Sequence, residues 1–338
     1  MTTPPGSGQG EAVAWVESPL QLLSAIEAHA AGQLGARTRA WPRLVGAGMA
    51  EFLTAFEGVP LPEGFSIDRP EPGRHPLRDR RIAAFGIGDV FSGQIQRDML
   101  AGTGDTRLVL LDDGLITRAA VRRLAEPGWQ PLVRDSAAFH LGRQLLGARA
   151  RQQLLRAAGR GRLSLFTAMT LAPEHARALE EAGARIITHA FPWLASLPVT
   201  EEFPEPNIVI GSAMVADRLI PADRYREWVL SIAKIAPTRY FPHRRTHTGL
   251  LDELRAHPAI TVEETGLPVE LRLRGLSSGQ HVYCLPTSAL QSLGLLLRAA
   301  GVTLHPRPIP DSWWLPQVPA AERSYLNSFT ENNGGLRA

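Results

Sequence analysis

Short apolar runs alternate with helix-like stretches along this chain, and that rhythm limits its fold more than any other feature. Strands are expected at residues 12–17, more weakly at 39–45, then at 81–87, Arg107–Leu111, 163–166 and Arg185–Thr188. Helical patterns lie between them, for instance at 20–31 and 173–182; the latter opens on proline and is closed by Gly183. Strands that read as near-continuous apolar runs are buried on both faces, as in a parallel sheet covered by helices. The βαβα order therefore predicts an α/β, doubly wound sheet. Residues 191–206 carry four prolines and interrupt the rhythm, which marks a linker.

A second series then begins. Strands are expected at Asn207–Ile210, Thr238–Phe241, 260–263, 282–285 and 302–306, with helices at 222–235, 252–256 and 288–300. The tail, 311–329, carries Trp313-Trp314 and then a helical pattern. A chain of 338 residues exceeds one compact core, so two domains of roughly 150 residues are expected. A disordered lead-in is expected at 1–11, a first Rossmann-like domain at 12–195, a linker at 196–206, and a second Rossmann-like domain at 207–310. The 311–338 segment is expected to return toward the first domain. Two such domains facing a central cleft make the GT-B arrangement.

Bulk properties narrow the class. A hydrophobic fraction of 44% with 20% charged residues describes a globular chain and excludes a disordered one. No apolar run nears the ~20 residues a membrane-spanning helix needs. The opening residues lack the basic and apolar regions of an export signal. A single cysteine, Cys284, suits a reducing compartment, so a cytoplasmic location is expected. Every basic residue except Lys234 is arginine, yet the net charge is only +3. Arg143, Arg149, Arg151, Arg156, Arg160 and Arg162 share one acid-free helical stretch. Such a helix is either a solvated face or a peripheral contact with anionic lipid on the inner face of a membrane, or with an acidic glycan. No aromatic-plus-basic pattern points to nucleic acid. The oligomeric state is not legible.

Chemistry is expected where strands end, because open α/β folds bind ligands at the carboxyl edge of the sheet. The run Arg107–Leu111 stops at Asp112-Asp113-Gly114. Two neighbouring carboxylates resist joint ionisation, so one is suited to accept a proton; plain helix capping is the competing reading. At the first junction Ser18 and Pro19 match helix-start chemistry, while Gln21 has no capping role and is a cleft candidate with Ser18. Gly88 and Asp89 follow another strand, where glycine permits close backbone approach. Pro242-His243-Arg244-Arg245 closes a strand with groups that suit a phosphate. Thr287-Ser288 places two hydroxyls at a helix start, which fits either capping or an anion. No metal set is convincing, since His243 and His247 flank two arginines and Cys284 has no cysteine partner.

In their order along the chain these segments resemble the bacterial sialyltransferases, in particular the lipooligosaccharide sialyltransferase and capsular polysialyltransferase families. Asp112-Asp113-Gly114 matches their acidic-acidic-Gly motif in full. His243 matches the histidine of their His-Pro motif, with Arg244 standing where proline is expected. A literal His257-Pro258 follows a short helix and not a strand, so His243 is preferred. Thr287-Ser288 matches their hydroxyl pair, and Ser18-Pro19-Leu20-Gln21 looks like their opening. The resemblance implies an inverting, metal-independent transfer of sialic acid or a related nonulosonic acid from a CMP-activated co-substrate to a glycan hydroxyl, with no cofactor. Asp112 would be the general base, supported by Asp113. His243 would assist departure of the phosphate, and Thr287 with Ser288 would hold it, beside Gly114, Pro242 and Arg244. The first domain would carry the acceptor and the second the nucleotide sugar. Alternatives are a Kdo or other sugar-nucleotide transferase, and a non-catalytic glycan- or nucleotide-binding protein on the same fold.

Overall fold

The computed structural model describes residues 10–44, 47–68, 82–102, 104–134 and 140–331; the expected lead-in and Arg81 lie largely or wholly outside them. The chain divides into two compact units, Met1–Ser196 and Leu197–Ala338.

Unit 1 opens with β1 (Glu11–Val16), α1 (Pro19–Ala30), β2 (Arg37–Pro42), α2 (Ala47–Ala55), β3 (Phe65–Ile67) and β4 (Ile82–Ile87). It continues with α3 (Gly93–Leu100), β5 (Arg107–Leu111), α4 (Leu115–Ala125) and α5 (Leu141–Gly159). It closes with β6 (Leu163–Thr167), α6 (Pro173–Glu181), β7 (Arg185–Thr188) and α7 (Pro192–Ser196). The seven strands lie in the order β3-β2-β1-β4-β5-β6-β7, and every pair is parallel. The chain winds outward in both directions from β1 and β4, so the topological switch point falls between them. Alternate residues such as Val13, Phe85, Leu108 and Leu165 pack beneath α3, α4 and α5. Leu22, Leu23 and Ile26 of α1 are fully buried.

The strand expected at 39–45 starts two residues earlier, and the three-residue β3 is too short to show a pattern. The segment expected as a linker begins with a folded element. The carboxylate of Glu27, buried in α1, accepts hydrogen bonds from the Trp193 and Leu194 amides at 3.1 and 2.8 Å. An α-helix leaves its first amides without partners, and Glu27 satisfies two of them, which docks α7 onto unit 1. The cost is visible: burial raises the Glu27 pKa.

Unit 2 contains β8 (Asn207–Ile210), α8 (Ala222–Ala233), β9 (Thr238–Phe241), α9 (Thr248–Arg255) and β10 (Ile260–Val262). There follow α10 (Val269–Arg272), β11 (His281–Cys284), α11 (Ala289–Leu296), β12 (Thr303–Pro306) and α12 (Ala320–Glu331). Its five parallel strands run β10-β9-β8-β11-β12, so the switch point lies between β8 and β11. Tyr225 and Trp228 of α8 pack on one face with Trp314 and Val318 of the tail. Leu290 and Leu293 of α11 pack on the other with Phe203. The rest of the proline-rich segment thus belongs to unit 2: Phe203 is in its core, and Arg272 bonds Glu201 at 2.6 Å. The helix expected at 288–300 stops at Leu296 and becomes a 3-10 turn, Arg298–Ala300, ended by left-handed Gly301. In the tail, the Asn327 amide bonds the backbone N–H and C=O of Ile309, tying α12 to unit 2's own core.

Candidate active site

The carboxyl edge of the unit 1 sheet gathers Ser18, Gln21, Gly88, Asp89, Asp112, Asp113 and Gly114 around β1, β4 and β5. Gly88 donates its N–H to the Trp15 carbonyl at 2.9 Å. A Cβ there would stand 2.8 Å from the Trp15 carbonyl oxygen, a backbone atom that cannot swing aside, and 2.1 Å from the Gln21 Oε1. That side-chain oxygen accepts the Glu17 N–H at 2.6 Å, which gives Gln21 its role at the end of β1. The Ser18 hydroxyl does two things at once. It accepts the Gln21 N–H at 3.2 Å as the cap of α1 and donates to Asp113 Oδ1 at 2.9 Å.

The two aspartates differ sharply. Asp112 is buried, and both its oxygens are occupied. Oδ1 accepts from Thr117 Oγ1 at 2.8 Å and the Gly114 N–H at 3.0 Å. Oδ2 accepts from Thr167 Oγ1 at 2.9 Å and the Ala168 N–H at 2.8 Å. Burial pushes its pKa up, against those hydrogen bonds, which favour the anion. To meet a substrate hydroxyl, Asp112 would have to surrender a donor, which would then be left buried and unpaired. The neighbouring glycine makes the turn feasible: Gly114 sits at φ +63°, where a side chain is strained.

Asp113 is partly exposed. It lines a small cavity together with Val90, Leu110, Leu111, Ile116 and Ala120, among others. This low-polarity surrounding raises its pKa to about 7, opposed by hydrogen bonds from Gln21 and Ser18; the Asp89 carboxylate adds to the rise, and Arg134 opposes it. Asp89 is itself engaged: Oδ1 accepts the Phe91 N–H at 2.8 Å and Oδ2 accepts from Arg134 at 2.7 Å. Glu17 accepts from Ser92 Oγ at 2.7 Å and Arg43 at 3.3 Å. The edge is therefore acidic, and Asp113 is its carboxylate poised to gain or lose a proton near neutral pH.

At the carboxyl edge of unit 2, β9 ends at Phe241 and leads through Pro242 to His243. Gly211, after β8, lies so close that a Cβ would meet the His243 amide nitrogen at 2.5 Å. The His243 Nδ1 accepts the Arg245 N–H at 3.1 Å, so the neutral ring carries its proton on Nε2. Burial first, then the charges of Arg245 and Arg244, lower the His243 pKa to about 4. At that value the ring is neutral at physiological pH and offers its Nε2–H as a donor. Arg244 is exposed, and Arg245 pairs with Asp217 at 2.8 Å. At the start of α11, Thr287 Oγ1 accepts the Ala289 N–H at 3.3 Å. Ser288 occupies the cap position, and its hydroxyl makes no capping bond. One hydroxyl of the pair caps; the other is left over.

Sequence reading missed Ser24, Thr117 and Thr167, which hold the Asp112 backbone and carboxylate. The parallel register that pairs Leu111 with Phe166 places Thr167 beside Asp112, and only a known strand order reveals that. Among the described residues no three His, Cys, Asp or Glu side chains gather where a metal ion could sit, and no helix is long and apolar enough to cross a membrane.

No family model matches the chain, and no curated protein matches it. Solved structures do. A UDP-glucosyltransferase from Polygonum tinctorium capable of glucosylating indoxyl aligns at TM-score 0.49 and 11% identity, over 98% of this chain and 94% of that one. The GT-B domain of a sialyltransferase from Photobacterium damselae aligns at TM-score 0.47 and 11% identity, over 96% and 97%. A Photobacterium 2,6-sialyltransferase with CMP and lactose aligns at TM-score 0.47 and 10% identity, over 96% and 76%.

Proposed function

We propose that the chain is an inverting glycosyltransferase of GT-B type, in which unit 1 activates an acceptor hydroxyl and unit 2 holds a nucleotide sugar. The observation that carries this reading is the carboxyl edge of unit 1, where Asp113 has its pKa raised to about 7 and a hydroxyl aimed at it. A general base is most effective when its pKa lies near the working pH. Asp113 takes that role, and Asp112 the role of a fixed anion that shapes the turn, an exchange of the roles implied by the family motif. As the acceptor oxygen attacks the anomeric carbon, Asp113 takes its proton and the bond to the donor phosphate breaks. Negative charge then grows on the leaving phosphate. The His243 Nε2–H, the Ser288 hydroxyl and the first amides of α11 are donors suited to that charge, with Arg244 adding a cation.

The motif order favours a CMP-activated nonulosonic acid as donor. Arg244, standing where the resembling families have proline, favours a second reading, a UDP-sugar with its additional phosphate. Both are tested by incubating the full chain with CMP-sialic acid, CMP-Kdo or UDP-hexoses and a panel of galactoside acceptors, and following nucleotide release. Acceptor-dependent CMP release above spontaneous donor hydrolysis is the expected result. UDP release instead selects the second reading, and no acceptor-dependent release from any donor contradicts both.

A further inference from the structure

The arginine-rich stretch formed by helix α5 and the turn that follows it has a divided set of cations. Arg143 donates to the Gln96 side chain at 3.0 Å and the Phe91 carbonyl at 2.9 Å. Arg151 caps the end of α4 through the carbonyls of Arg123 and Glu126, at 2.7 and 2.6 Å. Arg162 bonds the carbonyls of Gly104 and Thr106. These three are internal fasteners. Arg149, Arg156 and Arg160 are exposed.

Their positions follow a helical stripe. Residues 141, 145, 149, 152, 156 and 160 recur every three or four positions, share one face, and are all exposed. The opposite face, with Gly147, Ala150, Leu154 and Ala157, is buried. The stripe begins with two leucines, Leu141 and Leu145, which are 68% and 46% exposed. On the packed neighbour α3, Arg97 and Leu100 are also exposed. In the loop leading from α4 toward α5, Trp129 is 60% exposed. No acidic residue occurs between positions 136 and 173. The acid at the end of α4, Glu126, is engaged by Gln130 and lies near His175.

We propose that this face of α5 docks the protein on an anionic lipid bilayer, with Leu141 and Leu145 entering the headgroup boundary and Arg149, Arg156 and Arg160 on lipid phosphates. Exposed arginines alone would suit a solvated face or a polyanion; two exposed leucines on the same stripe add apolar surface that a bilayer can bury. An amphipathic helix at a bilayer surface uses both kinds of residue.

Co-sedimentation of the full chain with vesicles tests this. Binding is expected to phosphatidylcholine vesicles containing about 30% phosphatidylglycerol, not to pure phosphatidylcholine, and to weaken at least tenfold between about 0.1 and about 0.5 M salt. Arg149→Gln/Arg156→Gln/Arg160→Gln should lower the partition coefficient about 100-fold, taking the per-arginine contribution near an anionic surface. Leu141→Ser/Leu145→Ser should lower it about tenfold while leaving the salt dependence unchanged. All these side chains are exposed, so circular dichroism and melting should match the wild type and confirm folded variants. Equal binding to neutral vesicles, no binding at all, or wild-type binding by the arginine variant overturns the proposal. So does retention on heparin that matches vesicle binding and is indifferent to the leucine pair, which would make the face a polyanion site.

Discussion

The carboxyl edges of the two sheets are built from the same topology and carry opposite chemistry. In unit 1, Glu17, Asp89 and Asp113 converge, and Asp113 has its pKa raised to about 7. In unit 2, His243 is held neutral beside Arg244 and Arg245, with the hydroxyls of Thr287 and Ser288 at a helix start. On the proposed function, the first edge receives a proton and the second an anion. A parallel sheet imposes neither character; it only delivers side chains to one edge, and the residues just past each strand decide the rest.

The largest effect should come from the acidic edge. Asp113→Asn is expected to lower kcat by about 1000-fold, within the usual range for a lost general base. Nucleotide affinity, measured by calorimetry, should be unchanged; an unchanged kcat would remove Asp113 from the chemistry. Stability should respond with a definite sign. A carboxyl whose folded pKa lies above its unfolded value of 3.8 loses stability as pH rises through about 7, and asparagine lacks that dependence. The variant should therefore melt at or above the wild-type temperature in alkaline buffer. Asp112→Asn should do the reverse. It sets an amide N–H₂ against donors such as the Ala168 N–H, at a cost of about 3 kcal/mol in chemical denaturation, typical for a disrupted buried carboxylate network. A variant as stable as wild type would show that Asp112 is not the fixed anion.

The basic edge should yield smaller changes. His243→Ala should weaken nucleotide binding about tenfold, the loss of one hydrogen bond to a charged group. Because His243 already sits near 4, binding should show no histidine-like pH step between about 6 and 7; such a step would mean the ring is protonated when occupied. Smaller still, Ser288→Ala should weaken nucleotide binding about threefold, at the low end for a hydrogen bond, with stability intact. Thr287→Ala should instead cost about 1 kcal/mol of stability as a lost cap. If the two variants exchanged these effects, the division of labour between the hydroxyls would be reversed.

Much of this was legible in the sequence, and for a physical reason. Parallel strands buried on both faces write themselves as apolar runs, so β1, β5, β8 and β9 could be read within a residue or two. Strand ends follow from strand positions, which is why Ser18, Gly88, Asp112-Asp113 and His243 were found at junctions. What escaped depends on neighbours across the sheet. Nothing in Asp112-Asp113 says which carboxylate is saturated, because Thr117, Thr167 and Ala168 approach from a helix and an adjacent strand. Phe191 and the residues after it read as a linker because prolines are visible in sequence, whereas the buried Glu27 that docks α7 lies more than 160 positions away.

In the proposed mechanism Asp113, not Asp112, is the proton acceptor. Carbon-13 NMR of the aspartate carboxyl groups across pH measures it directly, with the Asp113→Asn variant providing the assignment. A resonance that titrates near pH 7 and vanishes in Asp113→Asn is the expected result. An Asp113 resonance that titrates near 4 instead would remove Asp113 as the base.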